Sequence, residues 1–180
     1  MVQTNQPEFI PAIAGLYTEA YTQGISAQYI DSEELKTYLI EILKTGTAIL
    51  QFENNILTAC LLYTPLSFDK LCPEKIKSEF EPDKCLYIAE VMVSLSYRGM
   101  GLGKKLLTEF FKNADTVNYN HVFLRVWENN LPALTLYSKS GFERVTTIDQ
   151  LKKMPDGKTD FVMKKIYLHK PFNQESDERI

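Results

Sequence analysis

The chain has 180 residues, 44% of them hydrophobic and 24% charged, and a formal net charge of -3 at pH 7. This length and apolar content suit one domain with its own core, and the acidic balance argues against a general nucleic-acid binder, which needs a basic surface. Cys60, Cys72 and Cys85 are odd in number and lack C-x-x-C spacing, which argues against a disulfide framework or a zinc site and fits reduced thiols in a cytoplasmic protein.

His121 and His169 are far apart in the sequence and have no partner pattern, so no metal is expected. No apolar run approaches the ~18 residues of a membrane span, and the N-terminus has no signal-peptide pattern.

The first helix is expected to begin between Pro7 and Pro11, with Phe9, Ile13, Leu16, Tyr17 and Ala20 on one face and Gly24 at its end. The second begins at Asp31, with Glu34 at capping-box spacing, and carries Leu35, Tyr38, Leu39, Ile42 and Leu43 as a stripe. Gly46 is expected to stop it as a left-handed cap. A hairpin follows, with strands at 47–52 and 56–63 around Asn54-Asn55.

Residues 65–84 form a long polar connection with nine charged residues and a short helix expected at 73–80. Such a loop is either mobile or functional. An apolar strand then runs from Leu86, turns sharply at Ser96, Tyr97 and Arg98, and meets Gly99, Gly101 and Gly103 at the start of a helix over 101–114. That helix buries Leu102, Leu106, Leu107, Phe110, Phe111 and Ala114. A strand over 121–127 precedes a helix capped by Asn130 and closed by Gly141. Strands at 142–149 and 161–168 complete the order around a Met154-Pro155-Asp156-Gly157 turn. We expect one domain over 1–168 and a polar, poorly ordered tail over 169–180. This order gives a mixed α/β sheet covered on both faces.

A buried strand feeding a glycine turn and a helix start is a ready phosphate site. The glycines fit neither G-x-G-x-x-G nor G-x-x-x-x-G-K-[ST] in any register. They give instead Arg98-x-x-Gly101-x-Gly103. Downstream, Asn130, Ala133 and Tyr137 share one helical face before Gly141-Phe142.

Together these two blocks resemble the GNAT superfamily of acyl-CoA N-acetyltransferases. The resemblance implies a mostly antiparallel α+β sheet, splayed at a coenzyme site. It implies that Arg98, Gly99, Met100, Gly101, Leu102 and Gly103 form the pyrophosphate loop, with Lys104 beside it. Val91, Met92 and Val93 would hold the pantetheine arm through their main chain, and Asn130 and Ala133 would line the coenzyme site. Tyr137 sits where the family often places the acid that protonates the departing thiolate.

Glu90 is the one charged residue in the run 86–95, and a carboxylate there suits a general base. Tyr87 is the fallback, water can relay either, and an ion pair to Arg125 is the structural alternative. Cys85 as a nucleophile has no histidine to activate it. The expected function is direct transfer from acetyl-CoA to a small amine, a polyamine or a peptide amine. The rival is a non-catalytic acyl-CoA-binding or sensing domain. No nucleic-acid or membrane partner is expected, and a homodimer is left open.

Overall fold

The computed structural model describes residues 1–24 and 27–172. In chain order it contains β1 (Val2–Thr4), α1 (Ile10–Thr22), α2 (Ser32–Thr45), β2 (Thr47–Glu53), β3 (Ile56–Pro65), α3 (Glu74–Glu79), β4 (Cys85–Val93), α4 (Leu102–Asn113), β5 (His121–Trp127), α5 (Leu131–Lys139), β6 (Glu143–Lys153) and β7 (Asp160–Pro171).

The local signals act as their chemistry predicts at most boundaries. The Asp31 carboxylate accepts from the N–H groups of Glu33 and Glu34, capping α2. Asn54 and Asn55 both have positive φ, which closes the β2–β3 hairpin with the twist its strands need. The Asn130 Oδ1 accepts from the Ala133 N–H and caps α5.

Gly46 is a correction: its φ is -119°, so it is no left-handed cap. Glycine is required for space, because a Cβ there would lie 2.4 Å from the Tyr63 carbonyl oxygen. β1 had no sequence signal; its three residues pair with Leu50, Ile49 and Ala48 of β2. The expected tail from 169 is also corrected. β7 continues through His169 to Pro171, and Phe172 is buried against the core. Residues 173–180 lie outside the described residues.

The seven strands form one sheet in the order β1-β2-β3-β4-β5-β7-β6. Only the β4–β5 pair is parallel; the others are antiparallel. One face packs on α4 and α5 through Leu106, Leu107, Phe110 and Tyr137. The opposite face packs on α1 and α2 through Ile13, Leu16, Leu39 and Ile42.

A third cluster refutes the mobile reading of 65–84. Leu66, Cys72 and Ile76 are buried against Tyr87, Phe123 and Tyr167. The connection is also tied by Asp69, which accepts from the Tyr167 hydroxyl at 2.7 Å and lies 3.4 Å from the Arg125 guanidinium.

Two irregularities in β4 prepare the site. Tyr63 pairs with Ile88 but Leu62 pairs with Glu90, so Ala89 is an extra residue, a β-bulge. The bulge inverts the alternation of side chains. Leu86 and Ile88 face α4 before it, as Val91 and Val93 do after it, while Glu90 and Met92 turn to the α1–α2 face. In addition, β4 pairs with β5 only from Cys85 to Ile88. Beyond Ile88 the strands part, because β5 continues against β7 while β4 stays with β3.

Candidate active site

The parting of β4 and β5 opens a groove of about 480 Å³ floored by Val91, Met92 and Val93. The side of β4 that faced β5 has no strand partner here, so its polar backbone is open to a ligand. At one end Gly99 and Gly101 both take φ of +79°, a conformation costly for any residue with a Cβ. Gly101 is the N-cap of α4, and no side chain caps that end. The first N–H groups of a 12-residue helix therefore point out of the protein beside Lys104.

Gly103 has a different task. A Cβ there would sit 3.0 Å from Leu136, so this glycine lets α4 and α5 come together. The turn itself is held by Glu19 of α1, whose carboxylate accepts from the Leu95 N–H at 2.7 Å and the Ser94 hydroxyl at 2.9 Å. Sequence reasoning missed Glu19, since nothing local marks it 75 residues from its partner.

The groove collects most of the residues singled out from the sequence. Val91, Met92, Val93, Arg98, Gly99, Gly101, Leu102, Gly103, Lys104, Asn130, Ala133 and Tyr137 all line it. Met100 does not; its side chain is exposed to solvent. Arg98 folds back, its Nε donating to the Val93 carbonyl at 3.3 Å. Tyr137 is 7% exposed and packs edge-on to Phe142. Burial, reinforced by the Glu90 charge, holds its phenol well above the usual range, so it stays protonated.

Glu90 stands where the groove meets a second cleft. Its carboxylate accepts from the Tyr21 hydroxyl at 2.5 Å and the Tyr38 hydroxyl at 3.0 Å. Tyr21 lines the groove, while Glu90 and Tyr38 line the second cleft. Burial raises the Glu90 pKa above the usual carboxyl value; the two hydrogen bonds, then Lys165 and Lys152, oppose that rise. The alternative ion pair to Arg125 does not form. Arg125 is engaged by Asp69 and by the Tyr87 hydroxyl, to which its Nε donates at 2.8 Å. Tyr87 is thereby occupied and is a poor fallback base. Tyr21 and Tyr38 were not assigned roles from the sequence; Tyr38 showed only as part of a helical stripe.

The second cleft, about 310 Å³, is walled by the 65–84 connection through Phe68 and Asp69 and by β6 through Gln150 and Lys152. Lys152 and Lys165 are half-buried on this side of the sheet. Burial lowers both, and burial with the neighbouring Lys152 brings Lys165 to about 8. Cys85 is fully buried and its thiol is pushed up to about 12, chiefly by burial, which removes it as a nucleophile. Among the described residues no cluster of three or more His, Cys, Asp or Glu is placed to hold a metal ion. No described helix is long and apolar enough to cross a membrane.

The sequence model of the acetyltransferase (GNAT) family matches residues 11–142, which takes in both helices of the α1–α2 face, the groove and its glycine turn. The chain belongs to the GNAT family. Solved members of similar fold include a ribosomal-protein-alanine N-acetyltransferase from Brucella melitensis, at 17% identity and a TM-score of 0.70, covering 95% of this chain and 99% of that one. An acetyltransferase from Salmonella typhimurium solved with acetyl-CoA has 15% identity and a TM-score of 0.68, covering 99% and 98%. A spermine/spermidine N(1)-acetyltransferase of Bacillus subtilis is 30% identical over 59 residues. That match spans 39% of the relative's length and 32% of this GNAT chain.

Proposed function

We propose that this GNAT enzyme moves an acetyl group from acetyl-CoA directly to a primary amine while both are bound. The observation that carries the reading is the groove. It joins an unpaired strand edge to an uncapped helix N-terminus, which together suit a long ligand with an amide-bearing arm and a diphosphate. Acetyl-CoA supplies an activated thioester.

The residues of this chain supply the rest. The N–H groups at the start of α4, with Lys104 and Arg98 nearby, hold the phosphates. Val91, Met92 and Val93 align the arm along β4, and Asn130 and Ala133 bound it on the α5 side. An alkylammonium has a pKa of about 10.4, so the amine must lose a proton before it attacks. Glu90 takes that proton, directly or through one water, and its raised pKa narrows the gap. Tyr21 and Tyr38 keep the carboxylate oriented. Tyr137, still protonated and lining the groove, gives a proton to the departing thiolate, and the nitrogen's second proton, released as the amide forms, restores the phenol. The fully reduced, buried thiols of Cys60, Cys72 and Cys85 are in keeping with a cytoplasmic setting.

The test is coenzyme binding by calorimetry. Gly101→Glu puts a bulky anion where the backbone must approach the phosphates and forces a side chain into the left-handed region. We expect affinity for acetyl-CoA to fall by two orders of magnitude or about 2.7 kcal/mol. Unchanged affinity in a folded variant removes the phosphate-loop assignment.

A further inference from the structure

We infer that the acceptor is an amino acid, its amine turned to Glu90 and its carboxylate taken by Lys152 and Arg125 in the second cleft. The inference rests on the acetyl-transfer reading and specifies its substrate class. Its ground is the imbalance of partnered and unpartnered charge inside that cleft.

The interior anions are already occupied. Glu90 accepts two tyrosine hydroxyls. Asp69 faces Arg125, accepts from Tyr167 and also accepts from the Leu71 N–H at 3.1 Å. A polyamine needs free carboxylates for its remaining ammonium groups, and the cleft interior offers none. Glu41 and Lys70, one charge of each sign, are exposed at its rim.

Of the two cations inside the cleft, Lys152 is without a partner among the described residues and Arg125 keeps one nitrogen unpartnered. Among the described residues, Lys152, which lines the cleft, and Lys165, on the same face of the sheet but outside the lining, make no side-chain hydrogen bond or ion pair, although both are half-buried. Arg125 uses Nε on Tyr87 and Nη2 on Asp69, but its Nη1 is buried without any partner, alone in this among the described side chains. An unmet guanidinium nitrogen beside a cleft is costly unless a ligand oxygen meets it. Sheet geometry gathers these groups. Arg125 pairs with Tyr167 on β7, Lys165 follows two residues before Tyr167 on the same face, and Lys152 projects from that face of β6. Burial first, and then the charges of Lys152 and Arg125, lower Lys165; burial first, and then Arg125, lowers Lys152. A carboxylate between them would relieve that repulsion and accept a charge-assisted hydrogen bond.

The experiment uses the full chain, acetyl-CoA and thiol release. Amino acids are compared with their own α-carboxamides at one pH, with spermidine alongside, and acetyl-CoA binding is measured in parallel. The expected result is that the best amino acid exceeds its carboxamide at least tenfold in kcat/KM and exceeds spermidine. Lys152→Met, which keeps the apolar stem, should raise KM for that amino acid about tenfold and bring the acid-to-amide ratio close to one. Spermidine or carboxamides turning over as well as the acids would overturn the inference and leave acetyl transfer standing. So would an unaltered ratio in Lys152→Met/Lys165→Met. Should those variants fail to fold, the matched pairs on the native protein decide alone. Coenzyme binding with no thiol release from any amine would overturn the acetyl-transfer reading and this inference with it; absent coenzyme binding would overturn the groove assignment, and both readings with it.

Discussion

Because Ala89 is an extra residue on β4, Glu90 turns toward the tyrosines of α1 and α2 and away from α4. A carboxylate on the α4 face would lie among Leu106, Leu107 and Phe110, where its charge could not be sustained. On the face it does occupy, two phenols hold the ion and burial lifts its pKa. A base must be deprotonated to act, so kcat/KM should climb with pH through a group titrating above the ordinary 4.5. Glu90→Gln should remove that limb and cost roughly 10²-fold or more in kcat/KM. A pH-rate profile of both proteins checks this; an unaltered limb in the variant would place the base elsewhere. The two donors are themselves stable in that role, since burial and then the Glu90 charge hold Tyr21 and Tyr38 well above the range where a phenol ionises.

At the scale of elements, the 65–84 connection is a wall of the second cleft, built on a small core of its own. Asp69 is its pin. It is 6% exposed and is shared among Arg125, Tyr167 and the Leu71 backbone. Asp69→Ala would leave a half-buried guanidinium uncompensated and a buried phenol without its acceptor. We expect a loss of about 3 kcal/mol in unfolding free energy, read by urea denaturation. A change below about 0.5 kcal/mol, the range of an ordinary surface substitution, would show that the pin is unimportant. The helix α4 illustrates the same economy of position. Two glycines of its leading turn serve backbone conformation and approach, while the third serves contact with Leu136.

For the whole molecule, the sheet is continuous at its base and divided at its upper end. The parallel β4–β5 pair holds over four residues before β5 and β7 carry one half away. The base is closed by His121 and His169, whose ring nitrogens lie 3.0 Å apart and whose rings pack with Phe80. Burial, then the neighbouring His121, pushes His169 down to about 4. The unfolded chain binds this proton near pH 6.5, as a free histidine does, and the folded chain does not. The stability it contributes is therefore present above about 6.5 and lost as pH falls toward 4. The melting temperature should decline over that window. His169→Phe, which keeps an aromatic ring against Phe80 and Phe123, should decline less. Parallel melting curves at pH 7 and pH 4.5 test this, and equal declines would sink it.

The sequence by itself determined the local elements and the residues of the candidate groove. Asp31, Asn54-Asn55 and Asn130 act through neighbours within three residues, and the helical stripes need only their own periodicity, so both are legible in one dimension. The glycine turn and the Asn130 to Tyr137 face carried the family resemblance for the same reason. Only the tertiary structure decided the surroundings of Glu90 and the second cleft. Glu90 meets Tyr21 and Tyr38 across separations of 69 and 52 residues, Glu19 braces a turn 76 residues away, and Arg125 is claimed by Asp69 instead of Glu90. Gly46 likewise answers to Tyr63, a strand away. One bulged residue sets which face Glu90 takes, and a bulge depends on the partner strand's register, which no local pattern in β4 records.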